Sequence, residues 1–202
     1  TGIGNWSDAQ IKTALQEGRR PAGHQLAEVM PSGFYKILTP RDLDAVTAYI
    51  RSAAPQSNQV QPPVYKAAMH YEDIPGGEKP FTDEALNEPL KRGFYIATIA
   101  HCMECHARRP DGTPGYKDSW GKGGHVMKGP YGEVKVSNIT SHPTQGIGAV
   151  SDSDIKRALT QGIGRDGRKL KPPMARQEYF SKMTDADLNS LVAWVRTIPP
   201  LE

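Results

Sequence analysis

Residues 1–15 return at 145–159, and this self-similarity limits the fold more than any other feature of the chain. Thr1-Gly-Ile-Gly-Asn-Trp-Ser-Asp-Ala-Gln-Ile-Lys-Thr-Ala-Leu15 matches Gln145-Gly-Ile-Gly-Ala-Val-Ser-Asp-Ser-Asp-Ile-Lys-Arg-Ala-Leu159. From Thr1 to Gln145 the offset is 144 residues, and it holds through Gly18 and Gly162, Gly23 and Gly167, Leu26 and Leu170, and Met30 and Met174. With one residue inserted the match resumes, pairing Asp42-Leu43 with Asp187-Leu188, Tyr49 with Trp194, and Arg51 with Arg196. Self-similarity of this length marks two related structural units.

Both units carry the same helical signals. Ser7 and Ser151 are N-cap residues for short helices bearing Ile11, Ala14, Leu15 and Ile155, Ala158, Leu159 at amphipathic spacing, ended by Gly18 and Gly162. A loop holding the methionine follows. Thr39 with Pro40, and Thr184 with Asp187, then start longer helices that stop before Pro55 and Pro199. Their apolar faces are Leu43, Val46, Tyr49, Ile50 and Leu188, Leu191, Val192, Trp194, Val195. The polar, proline-bearing stretch 54–63 reads as a semi-rigid linker, so the expected organisation is a unit over 1–53, a linker over 54–81 and a second unit over 82–202. Thr82 caps a further helical stretch, interrupted near Pro89, whose Leu90, Phe94, Tyr95 and Ile99 lead to Cys102 at a helix C-terminal end. From Arg108 to Pro143 the periodicity is lost to glycine and proline, with a short extended pair expected within 132–137.

The chemistry sits in Cys102-Met-Glu-Cys105-His106. Two cysteines at i and i+3 face the same way on a helical turn, so both sulfurs can reach the vinyl groups of one haem, and His106 then lies under the iron as an axial ligand. Three other uses fit worse. A thioredoxin-like dithiol calls for a β-branched strand leading into the pair, and none is present. A zinc site calls for four ligands, and only His101 and His106 flank the cysteines. A Cys102–Cys105 disulfide would close too small a loop to stabilise much. Composition agrees with a cofactor-filled core: 37% apolar residues with 17 prolines and 20 glycines suit loop-rich units completed by a haem. The formal charge of +3, without any Lys/Arg block, gives a nucleic-acid role no support. No run approaches the roughly 20 apolar residues of a membrane span.

A helix running into Cys-x-x-Cys-His, a glycine-rich middle, a short helix, a Pro-Pro-Met loop and a final helix with an aromatic residue resembles class I cytochrome c. Residues 82–200 look like one complete domain of that family. Gly129-Pro-Tyr-Gly132, Ser137-Asn-Ile-Thr140, Leu170-Lys-Pro-Pro-Met174 and the repeated Gly-Ile-Gly segments are similar to the cytochrome subunits of bacterial membrane-bound dehydrogenases and to periplasmic dihaem cytochromes. The resemblance implies an all-α fold of tandem cytochrome c-like helical domains, loop-rich, around covalent haem c. It also implies a periplasmic setting. It implies that Tyr131, Asn138, Ile139 and Trp120 line the haem or hold its propionates. The first unit matches only the C-terminal part of such a domain, so its attachment motif is expected before residue 1, with a second haem near Met30.

Met174 is the expected second axial ligand, with Met30 as its counterpart, because a neutral, soft thioether favours Fe(II) and Pro172 and Pro173 stiffen its loop. Rivals are His125, Met127 and His142; His24 aligns with Arg168, and His101 is expected to be exposed. Trp194 and Tyr49 are expected to pack each terminal helix against the helix before a haem motif, with Gly93 allowing the close crossing. Arg168, Lys169, Lys171, Arg108 and Arg109 form a positive rim suited to steering an acidic redox partner. The implied function is electron transfer, without a catalytic acid, base or nucleophile. Its partners would be a dehydrogenase subunit, a small cytochrome or an oxidase, and the parent complex could be membrane-associated. The alternatives are a dihaem oxidoreductase of thiosulfate or peroxide type with a displaceable ligand, and a structural subunit whose haem only stabilises the fold.

Overall fold

A computed structural model describes residues 2–27, 29–61, 64 and 73–202. Its elements are α1 (Asp8–Glu17), α2 (Ser32–Tyr35), α3 (Pro40–Ser52), α4 (Pro89–Ile99), α5 (Cys102–His106), β1 (Val126–Gly129), β2 (Gly132–Lys135), α6 (Asp152–Gln161), α7 (Gln177–Phe180) and α8 (Asp185–Val195). A 3-10 turn at Glu84–Asn87 precedes α4, which Pro89 opens from its first position rather than interrupts. The chain is mostly helical. The departure from all-α is the antiparallel β1–β2 hairpin, paired from Val126↔Lys135 to Gly129↔Gly132, so the extended pair begins six residues earlier than the 132–137 expectation. The described residues cluster into two compact units, Thr1–Asp83 and Glu84–Glu202.

Local structure repeats at the register of the sequence repeat. Ser7 Oγ accepts the Gln10 N–H at 3.2 Å and Ser151 Oγ accepts the Asp154 N–H at 3.1 Å, so α1 and α6 start alike. Both stop at glycines in the left-handed region, Gly18 at φ 65° and Gly162 at φ 67°, a conformation that costs other residues strain. The Leu26 N–H then donates to Gly18 O at 2.6 Å, and the Leu170 N–H to Gly162 O at 2.7 Å. Arg51 Nε donates to Asp8 and Arg196 Nε to Asp152, both at 2.9 Å, and each guanidinium also caps a carbonyl, Trp6 O or Val150 O. The methionines share one turn as well: Met30 O accepts the Ser32 N–H at 2.8 Å, and Met174 O accepts the Arg176 N–H at 2.7 Å.

In the first unit Ile11, Phe34, Ile37, Leu38, Leu43 and Ile74 form the buried core. Residues 73–81, expected as the end of the linker, join this unit instead, as do Thr82 and Asp83, expected to open the second unit. Ile74 is buried, the Phe81 N–H donates to Ile37 O at 2.9 Å, and Asp73 pairs with Lys36. The polar composition behind the linker reading belongs to 54–63, and the apolar anchors Ile74 and Phe81 lie beyond it. Residues 62–63 and 65–72 of the expected linker lie outside the described residues.

The second unit is built on the crossing of α4 and α8. A Cβ on Gly93 would sit 2.6 Å from Trp194 Cβ and 2.7 Å from the Ser190 carbonyl carbon, so only glycine lets the helices meet this closely. Around that contact Leu191, Val192, Trp194 and Val195 are buried, and the Trp194 ring lies 5.6 Å from Phe94 and 6.5 Å from Trp120. Trp194 therefore packs as expected. Its counterpart Tyr49 does not: it is 80% exposed, because no described helix crosses α3 as α4 crosses α8.

Candidate functional site

The α4 helix ends at Ile99, His101 takes a left-handed turn at φ 60°, and the chain restarts as α5. Cys102 thus opens a helix rather than closing one. Cys102 and Cys105 lie one turn apart on α5, half-buried and not joined to each other. Burial pushes the Cys102 thiol up to about 12, and the Cys105 sulfur adds to the effect. Cys105 is also raised, by burial and then by the Glu104 carboxylate, against the pull of Arg108 and Arg176. A redox dithiol needs the opposite, a thiol whose pKa is lowered so that the thiolate can attack. Among the described residues no cluster of three His, Cys, Asp or Glu is grouped for a metal ion, so the zinc alternative has no ligand set.

His106 is buried, and its Nδ1 lies 2.8 Å from the Ser137 carbonyl. With Nδ1–H donating there, the lone pair sits on Nε2, the nitrogen free for iron. Burial lowers the His106 pKa, and the Ser137 bond partly opposes that shift. The ring is therefore neutral, as an axial ligand must be. The hairpin holds the Ser137 segment in place: the Val136 N–H donates to His125 O at 3.0 Å, and Gly123 N–H to His106 O at 2.9 Å. Two thiols one turn apart beside a neutral, oriented, buried imidazole form the donor set of a covalently attached haem, so the residues fit that group.

Met174 is half-buried, in a loop where Arg176 Nε donates to Pro173 O at 3.0 Å. The Arg176 charge is the smallest of the influences on Glu104 and Cys105, pulling each down, against the larger effect of burial at Cys105. Met30 is 50% exposed, and no described attachment helix lies in the first unit.

The residues that the resemblance assigned to the haem edge have identifiable contacts. Asn138 Nδ2 donates to Leu201 O at 2.6 Å, and its Oδ1 accepts from Thr140 N and Oγ1 at 2.8 and 2.7 Å. Its side chain thus ties the C-terminal end of the chain to the Thr140 turn. Trp120 stands between Tyr116 and Trp194 in an edge-to-face stack. Half-buried Tyr131 covers Gly129 at the hairpin tip, and the Ile139 N–H donates to Gly121 O at 2.8 Å.

The rival ligands are placed as follows. His142 Nδ1 accepts the Gln145 N–H at 3.1 Å, Met127 lies in β1, and His24 is exposed. His101 is half-buried rather than exposed and lies 3.1 Å from Glu104. His125 is buried, and its Nδ1 has no hydrogen-bond partner among the described residues. The positive rim is partly committed: Arg108 donates to Glu104 O and Gly112 O at 2.6 Å, Arg109 pairs with Asp118 at 2.7 Å, and Arg168 with Asp166 at 3.0 Å. Lys169 and Lys171 are exposed. Ser137 and Arg176 went unassigned in the sequence. A carbonyl acceptor leaves no signature in residue type, whereas Arg176, two residues past Met174, could have been found from its position.

The cytochrome c family model matches residues 90–199, over half of the chain. The chain belongs to the cytochrome c family. It carries haem c through Cys102 and Cys105, and the family's role is electron transport. Over 119 residues, 59% of this chain, it is 34% identical to the fructose dehydrogenase cytochrome subunit of Gluconobacter japonicus, covering 23% of that protein. Over 112 residues, 55% of this chain, it is 37% identical to the cytochrome c subunit of the quinone alcohol dehydrogenase of Gluconobacter oxydans, covering 21% of it. A diheme cytochrome c-type protein of Cereibacter sphaeroides is 25% identical over 210 residues, spanning the whole of this chain and 69% of its own length. The chain thus spans under a quarter of the length of the two dehydrogenase cytochrome subunits.

Proposed function

We propose that the second unit is an electron carrier whose iron is held between His106 and Met174, exchanging electrons with a dehydrogenase subunit, a small cytochrome or an oxidase in the periplasm. When bound, the haem supplies a one-electron Fe(III)/Fe(II) couple. The protein's part is to hold the couple in one coordination state. Ser137 O fixes the tautomer and rotation of His106 at 2.8 Å, and that contact carries the reading. Met174 would supply the second ligand: it is half-buried, follows the stiff Pro172-Pro173 pair and occupies the turn that Met30 holds in the repeat. With His106 and Met174 both bound, no axial position would remain open for substrate, unlike the dihaem oxidoreductase reading, which needs a displaceable ligand.

The dehydrogenase subunits among the relatives support the choice of partner. Because c-type haem is attached outside the bacterial cytoplasm, the periplasm is the compartment proposed. No described helix is long and apolar enough to cross a membrane. Lys169, Lys171 and Arg176 are exposed positive charges at the Met174 loop, so steering of an acidic partner is assigned to them. For the first unit we propose a second haem against Met30, since Met30 and Met174 occupy the same turn. Added carbon monoxide tests the closed site: the reduced protein should resist it and Met174→Ala should bind it, whereas binding by the unmodified protein would refute His/Met closure.

A further inference from the structure

The corner after each methionine turn is built alike and covered differently. Ser32 opens α2 and Gln177 opens α7, 145 residues apart, and each meets the glycine that ends the preceding helix. A Cβ on Gly18 would lie 2.8 Å from Ser32 Oγ, and one on Gly162 would lie 3.0 Å from Gln177 Oε1. Met30 and Met174 stand 144 apart, so the extra residue of the second unit falls between turn and helix. At this register Phe34 corresponds to Tyr179, Ile37 to Lys182 and Leu38 to Met183. Phe34, Ile37 and Leu38 are buried, whereas Tyr179 is 62% exposed and Lys182 lies open to solvent. The cover in the first unit is residues 73–81. The Phe81 N–H donates to Ile37 O at 2.9 Å, Pro80 lines one hollow with Leu38, Pro40 and Leu43, and Asp73 takes the charge of Lys36.

We infer that the Tyr179 face of α7, with Arg176, Lys182, Lys169 and Lys171, docks an acidic redox protein, and that residues 73–81 withhold the matching corner of the first unit from that partner. The Leu170 N–H donates to Gly162 O at 2.7 Å and Gln177 packs on the same glycine, so the 169–171 segment and α7 meet there. Charge names the occupant. Lys169, Lys171 and Lys182 stand where the first unit has Gln25, Ala27 and Ile37, and Arg176 is exposed beside them in sequence. Against these the face carries Glu178, and Arg168 is paired with Asp166 at 3.0 Å. A set of exposed cations raises the rate of encounter with an anionic partner, while tyrosine and arginine are the side chains on which interfaces concentrate their binding energy. The inference rests on the electron-carrier reading above and adds which unit meets the partner, and through which side chains.

The test mixes the reduced, haem-loaded protein with an acidic blue-copper protein in its Cu(II) form and follows the passage of one electron from haem to copper at low ionic strength. Lys182→Glu should slow the second-order rate at least about five-fold, whereas Lys79→Glu, an equal change of charge on residues 73–81, should leave it within about two-fold of the parent. Tyr179→Ser should slow it at least about three-fold, yet leave unchanged the rate with ferricyanide, a small anion that needs no docking face. Equal slowing by Lys182→Glu and Lys79→Glu would reduce the face to net charge and overturn the inference, as would a Tyr179→Ser variant as fast as the parent. So would a Tyr179→Cys thiol that reacts with a maleimide far more slowly than Val60→Cys in the free protein, since the face is then already covered. Each variant should still resist carbon monoxide, which keeps a failure of the docking face distinct from a failure of His106–Met174 closure.

Discussion

Gly93→Ala probes the contact that positions the attachment helix. The added Cβ would lie 2.6 Å from Trp194 Cβ and 2.7 Å from the Ser190 carbonyl carbon, where carbons ordinarily stand about 3.5–4.0 Å apart. The obstacles are backbone and a Cβ, neither of which can rotate away, so α4 and α8 must separate by about 1 Å. A gap of that size forfeits about a quarter to a half of each dispersion contact across the interface, which includes the Phe94–Trp194 stack and buried Leu191. Overpacking of this kind costs about 1–3 kcal/mol, and the better helix propensity of alanine returns about 1 kcal/mol. With rigid obstacles the upper part of the range applies, leaving a net loss of about 2 kcal/mol. Guanidinium unfolding of the haem-loaded protein, followed by tryptophan fluorescence, measures it directly. A variant as stable as the parent, or more stable, would show that the helices do not depend on this approach.

Three further outcomes follow from named contacts. Arg196→Leu removes the Asp152 pair and leaves the Ile147 and Val150 carbonyls without their charged donor, a loss of about 2 kcal/mol in the same unfolding assay; an unmoved midpoint would count against the clamp. Thr184→Ala deletes the Oγ1 acceptor of the Asp187 N–H and should cost about 1 kcal/mol, with Thr184→Ser recovering most of it. The Asp118 carboxyl is held below its ordinary value by the Arg109 hydrogen bond and then by Ser119. A lowered folded pKa contributes stability above the unfolded value of about 3.9 and loses it as pH falls through the folded value. Asp118→Asn should therefore differ from the parent in unfolding midpoint at neutral pH and converge with it in acid. A gap that persists unchanged in acid would remove the ionised pair as its cause.

Residue type carried the local grammar of this chain. Ser7, Ser151, Thr39 and Thr184 cap helices where their identity says they should, because a short side-chain oxygen can reach only its own helix start. Gly93 was legible as a crossing for the same reason, since its meaning lies in what it lacks. Contacts made by backbone, or spanning long stretches of chain, were not legible. The acceptor for His106 is a carbonyl 31 residues away, two residues past the end of β2. Asn138 stands in the Ser-Asn-Ile-Thr stretch that the resemblance placed at the haem edge, yet its amide meets Leu201 at the far end of the chain. Ile74 joined the first core because a buried apolar residue outweighs the proline-rich composition upstream of it. Tyr49 carried the right residue type for packing, but burial depends on a partner that residue type does not supply.

The proposed electron-carrier role depends on a second axial bond from Met174. The ferric absorption spectrum of the native protein reports that bond through a weak far-red band arising from iron–methionine ligation. The band should be present in the parent, absent in Met174→Ala, and retained in His125→Ala and Met127→Ala. A high-spin ferric spectrum in the native protein, or a band that survives Met174→Ala, would contradict ligation by His106 and Met174.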